Sequence, residues 1–178
     1  MRFEYKHLDD VTRGYMLDEI QAARRANNLY YSRRFNDDGM ARWPELLLAA
    51  ARSHDDHWLA YQLEAEGLMK CLEGARTPSG GYTVKHVPHT AAATLAEGQF
   101  NRYYILGVCR RALAESKRSV TVYRAKQRAT PPSAPSAEPD ALIGSSLDAQ
   151  VLHAALRLHQ TSLEHQLLQP NTSLSVSL

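Results

Sequence analysis

Val11, Tyr15 and Ile20, with Met16 and Leu17 beside them, form an apolar stripe at helical spacing behind Asp9 and Asp10. An Asp at the start is the expected cap, and the helix is predicted to end near Ala26, before Asn27-Asn28. Leu29-Tyr30-Tyr31-Ser32 reads as a short strand or an irregular link, and Asn36-Asp37-Asp38-Gly39 as a turn. Pro44 opens the next helix at its first position, where a missing N–H costs nothing, and Glu45 to Arg52 continues it with Leu and Ala. Ser53-His54-Asp55-Asp56 then caps a helix from Asp56 to Gly67, with Trp58, Leu59 and Leu63 inward. These two short helices make a helical hairpin.

Gly74 to Pro88 breaks the helical period, with Pro78, Gly80, Gly81 and Pro88 as punctuation and Tyr82-Thr83-Val84 as a short strand. Thr90 is the predicted cap of the main helix, Ala91 to Ser116. Its apolar positions (Ala96, Phe100, Tyr103, Tyr104, Gly107 and Val108, with Leu106, Cys109 and Leu113 adjoining) cover two faces, which places it at the centre of a core. Ser119 to Ala125 alternates like a strand and pairs, on this reading, with Tyr82–Val84. Asp148 caps a further helix carrying Val151, Leu152, Ala155 and Leu156, and Ser162 to Leu168 forms another. At the end, Leu174, Val176 and Leu178 alternate with Ser173, Ser175 and Ser177, the period of a half-buried strand.

The expected fold is mainly α with a small β element: a helical globular domain (1–128), a linker (129–140) and a C-terminal arm (141–178). The linker holds four prolines and no large apolar residue, a semi-rigid extended composition. No strand follows Leu174–Leu178 in the chain. The expectation is therefore that Leu174, Val176 and Leu178 bind a partner by adding a strand to a neighbouring subunit's sheet.

Charge changes the picture in one place. The whole chain is at +2, but residues 1–129 carry 20 of the 21 Lys/Arg and 15 of the 19 Asp/Glu, a net of +5, whereas residues 130–178 are at −3. Arg110, Arg111, Lys117, Arg118, Arg124, Lys126 and Arg128 fall within nineteen residues against Glu115 alone. They are the candidate surface for an acidic partner, with nucleic acid the less favoured ligand. Cys71 and Cys109 have no CxxC neighbour and read as buried reduced thiols. Glu4, Asp9 and Asp10 interrupt any signal-peptide core, and no stretch reaches the roughly 18 apolar residues of a membrane span.

His54-Asp55-Asp56-His57 and the pair His86 and His89 have metal-ligand chemistry. Two acids at a helix start and two flanking imidazoles are equally accounted for by capping, and the second pair has no carboxylate beside it. Neither a Gly-x-Ser-x-Gly elbow nor a phosphate-binding glycine loop is present. The expectation is no catalytic residue, no metal and no cofactor.

Four blocks carry a resemblance: Phe3 to Arg13, Ala92 to Tyr104, Val122 to Gln127, and Pro170 to Val176. Together they resemble uncharacterised proteins encoded in tailed-phage and prophage structural-gene clusters. The resemblance implies a non-enzymatic virion structural protein of the minor-capsid or cement type, made in the host bacterial cytoplasm. Its implied partners are the major capsid protein or neighbouring copies within a large assembly. A head–tail joining protein is the alternative in the same class. A DNA-binding or regulatory phage protein using Arg110–Arg128 is the alternative in another.

Overall fold

A computed structural model describes residues 2–78, 80–126, 141–158, 167 and 173–178. Among them are five helices and five strands, a mainly α fold with a small β element. The linker 129–140 and the helix expected at Ser162–Leu168 lie outside the described residues, apart from buried Leu167.

Short polar side chains start the helices. Asp9 caps α1 (Asp10–Arg25), its carboxylate accepting from the Thr12 N–H at 3.0 Å. Asn27, at φ 51°, ends that helix in the left-handed region that Asn tolerates. The buried face of α1 is Thr12, Met16, Glu19 and Ile20; Val11 is exposed, so the face is turned from the expected stripe. Asn36 caps α2 (Asp37–Ser53) by accepting from the Gly39 N–H at 2.8 Å.

The expected turn at residues 36–39 is thus the cap and first turn of α2, because Asn and Asp serve both purposes. Pro44 consequently lies inside the helix rather than at its start, where it forgoes the bond to the carbonyl of exposed Met40. Asp55 caps α3 (Asp56–Ala65), accepting from the Trp58 N–H at 2.8 Å. From α1, the Arg13 guanidinium donates to the carbonyls of Ala51 and His54 at 2.9 Å and closes the C-terminus of α2.

Everything is built round α4 (Ala91–Ala114), which buries residues on all sides from Ala96 to Ala112, as its two apolar faces require. Thr90 precedes it without a side-chain cap bond. Packing against α1 is tight at Gly107, where a Cβ would lie 2.9 Å from Met16 Cγ and 3.0 Å from the Thr12 carbonyl. Tyr103 and Tyr104 are core residues, as are Trp43 and Phe100.

The strands form two antiparallel sheets. One is a hairpin of β1 (Leu72–Arg76) and β2 (Tyr82–His86). The other has β3 (Ser119–Arg124) at its centre, between β4 (Ser146–Asp148) and β5 (Leu174–Ser177). Tyr82–Val84 therefore pairs with residues 74–76 and not with β3. Leu-Glu-Gly-Ala-Arg has little apolar alternation to mark it as the partner. Asp148 caps α5 (Ala149–Arg157), accepting from the Val151 N–H at 2.9 Å. Leu152, Ala155 and Leu156 are buried, and Val151 is exposed.

Leu152, Leu156, Leu167, Leu174 and Val176 belong to the same continuous core as Phe100 and Tyr104. The C-terminal segment completes the domain.

Candidate functional site

The terminal strand is occupied within its own chain. Val176 lies opposite Val122 and Leu174 opposite Arg124 in β3. Leu174 and Val176 are fully buried, and Leu178 packs half-buried against the core. The Asn101 amide donates to the Leu174 carbonyl at 2.8 Å, and its oxygen accepts from the Ser175 hydroxyl at 2.7 Å. The expectation that Leu174, Val176 and Leu178 bind another subunit is corrected on this point. Their apolar face fills a gap beside β3, and burying each Leu or Val there stabilises the domain by roughly 1.5–3 kcal/mol.

The basic run from Arg110 is largely neutralised by acids distant in sequence. Arg110 meets Asp18 at 3.5 Å and Glu19 at 3.4 Å, and Arg111 meets Asp9 at 2.6 Å and Glu115 at 2.8 Å. Lys117 reaches Glu115 at 3.0 Å, and Lys126 pairs with Glu97. Arg118 is exposed beyond the end of α4, Arg124 is half-buried on β3, and Arg128 lies outside the described residues. The described side chains of the run do not make one open cationic face.

The residues of the His54–His57 cluster serve separate partners. His54 stacks on Trp58 with ring centroids 4.1 Å apart, and Asp55 caps α3 while pairing with Arg2 at 3.1 Å. Asp56 is buried beside the Tyr5 hydroxyl; burial, with Asp55 and Glu97 nearby, pushes its carboxyl up to about 6. His86 ends β2, and His89 lies in the turn before α4. No group of three or more His, Cys, Asp or Glu among the described residues is arranged to hold a metal. Both cysteines are free. Cys109 is buried, its thiol pushed up to about 12, whereas Cys71 is exposed, contrary to expectation. No helix among the described residues is long and apolar enough to cross a membrane.

Among the described residues, the β1–β2 hairpin presents an apolar face that no other element covers. Opposed residues of an antiparallel pair share a face, so Leu72, Gly74, Arg76, Tyr82, Val84 and His86 lie together. That face points to solvent: Leu72 is exposed to 50%, Val84 to 67% and Tyr82 to 77%. On the other face Glu73 is clamped by Arg34 (2.6 and 3.0 Å) and by Lys85 across the strands at 3.3 Å. The base is held by the Phe35–Met69 bridge and by the Lys70 N–H donating to the Arg34 carbonyl at 2.8 Å. Gly39 allows α2 to start there, since a Cβ would meet the Leu68 carbonyl at 2.3 Å.

Beside β1 opens a cleft of about 530 Å³, lined by Tyr30, Arg33, Arg34, Lys70, Leu72 and Glu73 among others. Residues 30–34 and 68–89 contain Arg33, Arg34, Lys70, Arg76 and Lys85 against Glu73 alone. Sequence reading missed this site because its cations come from two separated segments. The one available signal was the long acid-free run between Glu73 and Glu97.

No protein-family model, curated protein or solved structure matches this chain.

Proposed function

We propose that the protein is a non-enzymatic structural component of a bacteriophage virion, a minor capsid or cement protein, and that the β1–β2 hairpin docks it on neighbouring subunits. The observation that carries this reading is the outer face of the hairpin. A two-stranded sheet is marginal alone in water, and this one presents Leu72, Val84 and Tyr82 outward. Apolar side chains gathered on a projecting arm gain their burial on a partner. The resemblance of four sequence blocks to tailed-phage structural-cluster proteins gives the setting, with the major capsid protein or further copies as partners. The C-terminal strand contributes as the third strand of the β4–β3–β5 sheet and as part of the core of the domain that carries the hairpin.

Quantitative mass spectrometry of purified particles tests the reading. A fixed copy number per particle is expected. A very low copy number, as at a single vertex, would move the protein to the head–tail junction. Its absence from particles would remove the virion reading altogether.

A further inference from the structure

The hydrogen-bond register shows which backbone groups of β1 are already used. The Val87 N–H donates to the Cys71 carbonyl at 2.9 Å, and the Thr77 N–H to the Gly81 carbonyl at 2.9 Å. Antiparallel ladders alternate, so between these two pairs Glu73 and Ala75 turn their backbone groups toward β2. Leu72, Gly74 and Arg76 turn theirs outward, away from β2. The outward edge at Leu72 and Gly74 borders the basic cleft. Among the described residues no strand pairs with this edge, and an edge of this kind is a template for another strand.

Resting on the reading of the hairpin as the docking element, we infer that the outer edge of β1 receives an extended segment of a partner protein whose side chains alternate between apolar and acidic. Backbone bonds to Leu72, Gly74 and Arg76 supply affinity without regard to sequence, and the two faces supply the pattern. Apolar side chains of the added strand extend the face formed by Leu72, Val84 and Tyr82. Acidic ones fall on the opposite face, the side of Glu73 and Arg34, where the single acid already has two cations of its own. Arg33 and Lys70, both exposed and lining the cleft beside that edge, supply the positive charge that long acidic side chains of the added strand reach. The Lys70 ammonium donates to the Arg33 carbonyl at 3.0 Å, which holds these two positions together. A protein strand is favoured over nucleic acid because an open main-chain edge alternates N–H donors with carbonyl acceptors, which repel phosphate oxygens, and because Leu72 and Val84 gain burial only against apolar side chains. The chain is thus the acceptor of an added strand, with its own terminal strand already spent on β3.

The test uses the full chain in three titrations. The probes are a blocked decapeptide alternating valine and glutamate, the matching valine–lysine decapeptide, and a twenty-nucleotide oligothymidylate. The valine–glutamate peptide is expected to bind saturably, and the valine–lysine peptide at least about tenfold more weakly. Gly74→Pro removes an outward N–H without touching the β1–β2 ladder. It should abolish peptide binding, whereas Gly74→Ala, which has open space for its Cβ, should retain it. Arg33→Glu with Lys70→Glu should weaken the peptide at least about tenfold. Equal binding of the two peptides, or full binding by Gly74→Pro, would overturn the inference. Tighter binding of the oligothymidylate would transfer the cleft to nucleic acid. If no peptide binds while hairpin substitutions still expel the protein from particles, the strand-acceptor inference alone fails.

Discussion

Gly74 lies directly opposite Val84 in the β1–β2 pair, and with no side chain across from it Val84 stays exposed to 67%. A folded domain gains nothing from that arrangement. Tyr82 beside it leans on Arg76, whose guanidinium donates to the Tyr82 hydroxyl at 3.3 Å. The hairpin face is held open and ordered by contacts within the hairpin, so its apolar area is available for a partner.

The arm is expected to be dispensable for folding. Tyr82→Asp with Val84→Asp alters only exposed positions and should change stability by no more than about 0.5 kcal/mol per site. Urea denaturation followed by circular dichroism checks this, with an unchanged midpoint as the expected result.

Asn101 fastens the terminal strand from the middle of α4, satisfying the Leu174 carbonyl and the Ser175 hydroxyl in a buried site. Asn101→Ala removes both bonds and leaves the buried Leu174 carbonyl unpaired, at a cost of about 2–3 kcal/mol. Hydrogen exchange should rise at residues 174–177 first, because among the described residues β5 has β3 as its one strand neighbour.

Glu19 binds α1 to α4 and α5. Its carboxylate is 3.1 Å from His153 Nε2, 3.3 Å from Arg157 Nε and 3.4 Å from an Arg110 nitrogen. Burial pushes its carboxyl upward, but the His153 hydrogen bond and the electrostatic pull of His153, Arg157 and Arg110 outweigh that and hold it below the ordinary glutamate value. A lowered folded value means stability that is present above the unfolded glutamate value and lost as pH falls through the folded one. Glu19→Gln should therefore destabilise by about 2 kcal/mol at pH 7 and by much less at pH 3. Thermal melts across that range measure it.

Asp56 has the opposite sign. Its carboxyl is raised from 3.8 to about 6, so the folded state binds the proton more tightly than the unfolded one. The stabilisation is present below pH 3.8 and is lost as pH rises through 6. Above that point the ionised carboxylate is a standing cost. Asp56→Asn should raise the melting temperature at pH 8, with a gain on the order of 2 kcal/mol, and should leave it nearly unchanged at pH 4.

These contacts show what the sequence could and could not disclose. The starts of α1, α3 and α5 were legible because Asp9, Asp55 and Asp148 bond to backbone N–H groups three residues away, which is local chemistry. The start of α2 was not, since Asn36-Asp37-Asp38-Gly39 satisfies a turn and a helix cap equally. Leu174–Leu178 was legible as a strand, but a period of two names a face and no partner. Its pairing with β3 is set by a gap some fifty residues away. Much of the apparent charge of Arg110–Lys126 is neutralised for a similar reason, because Asp9, Asp18, Glu19 and Glu97 reach it only once the chain folds. The hairpin site needed Arg33 and Lys70 brought together by the Phe35–Met69 bridge.

The most direct test of the hairpin as the docking element is the copy number of Tyr82→Asp/Val84→Asp protein in purified particles, measured beside the unaltered chain. The account predicts a fixed stoichiometry for the unaltered chain and loss of the variant from particles, although it is folded and equally abundant in the host cell. Incorporation of the folded variant at the unaltered stoichiometry would contradict it.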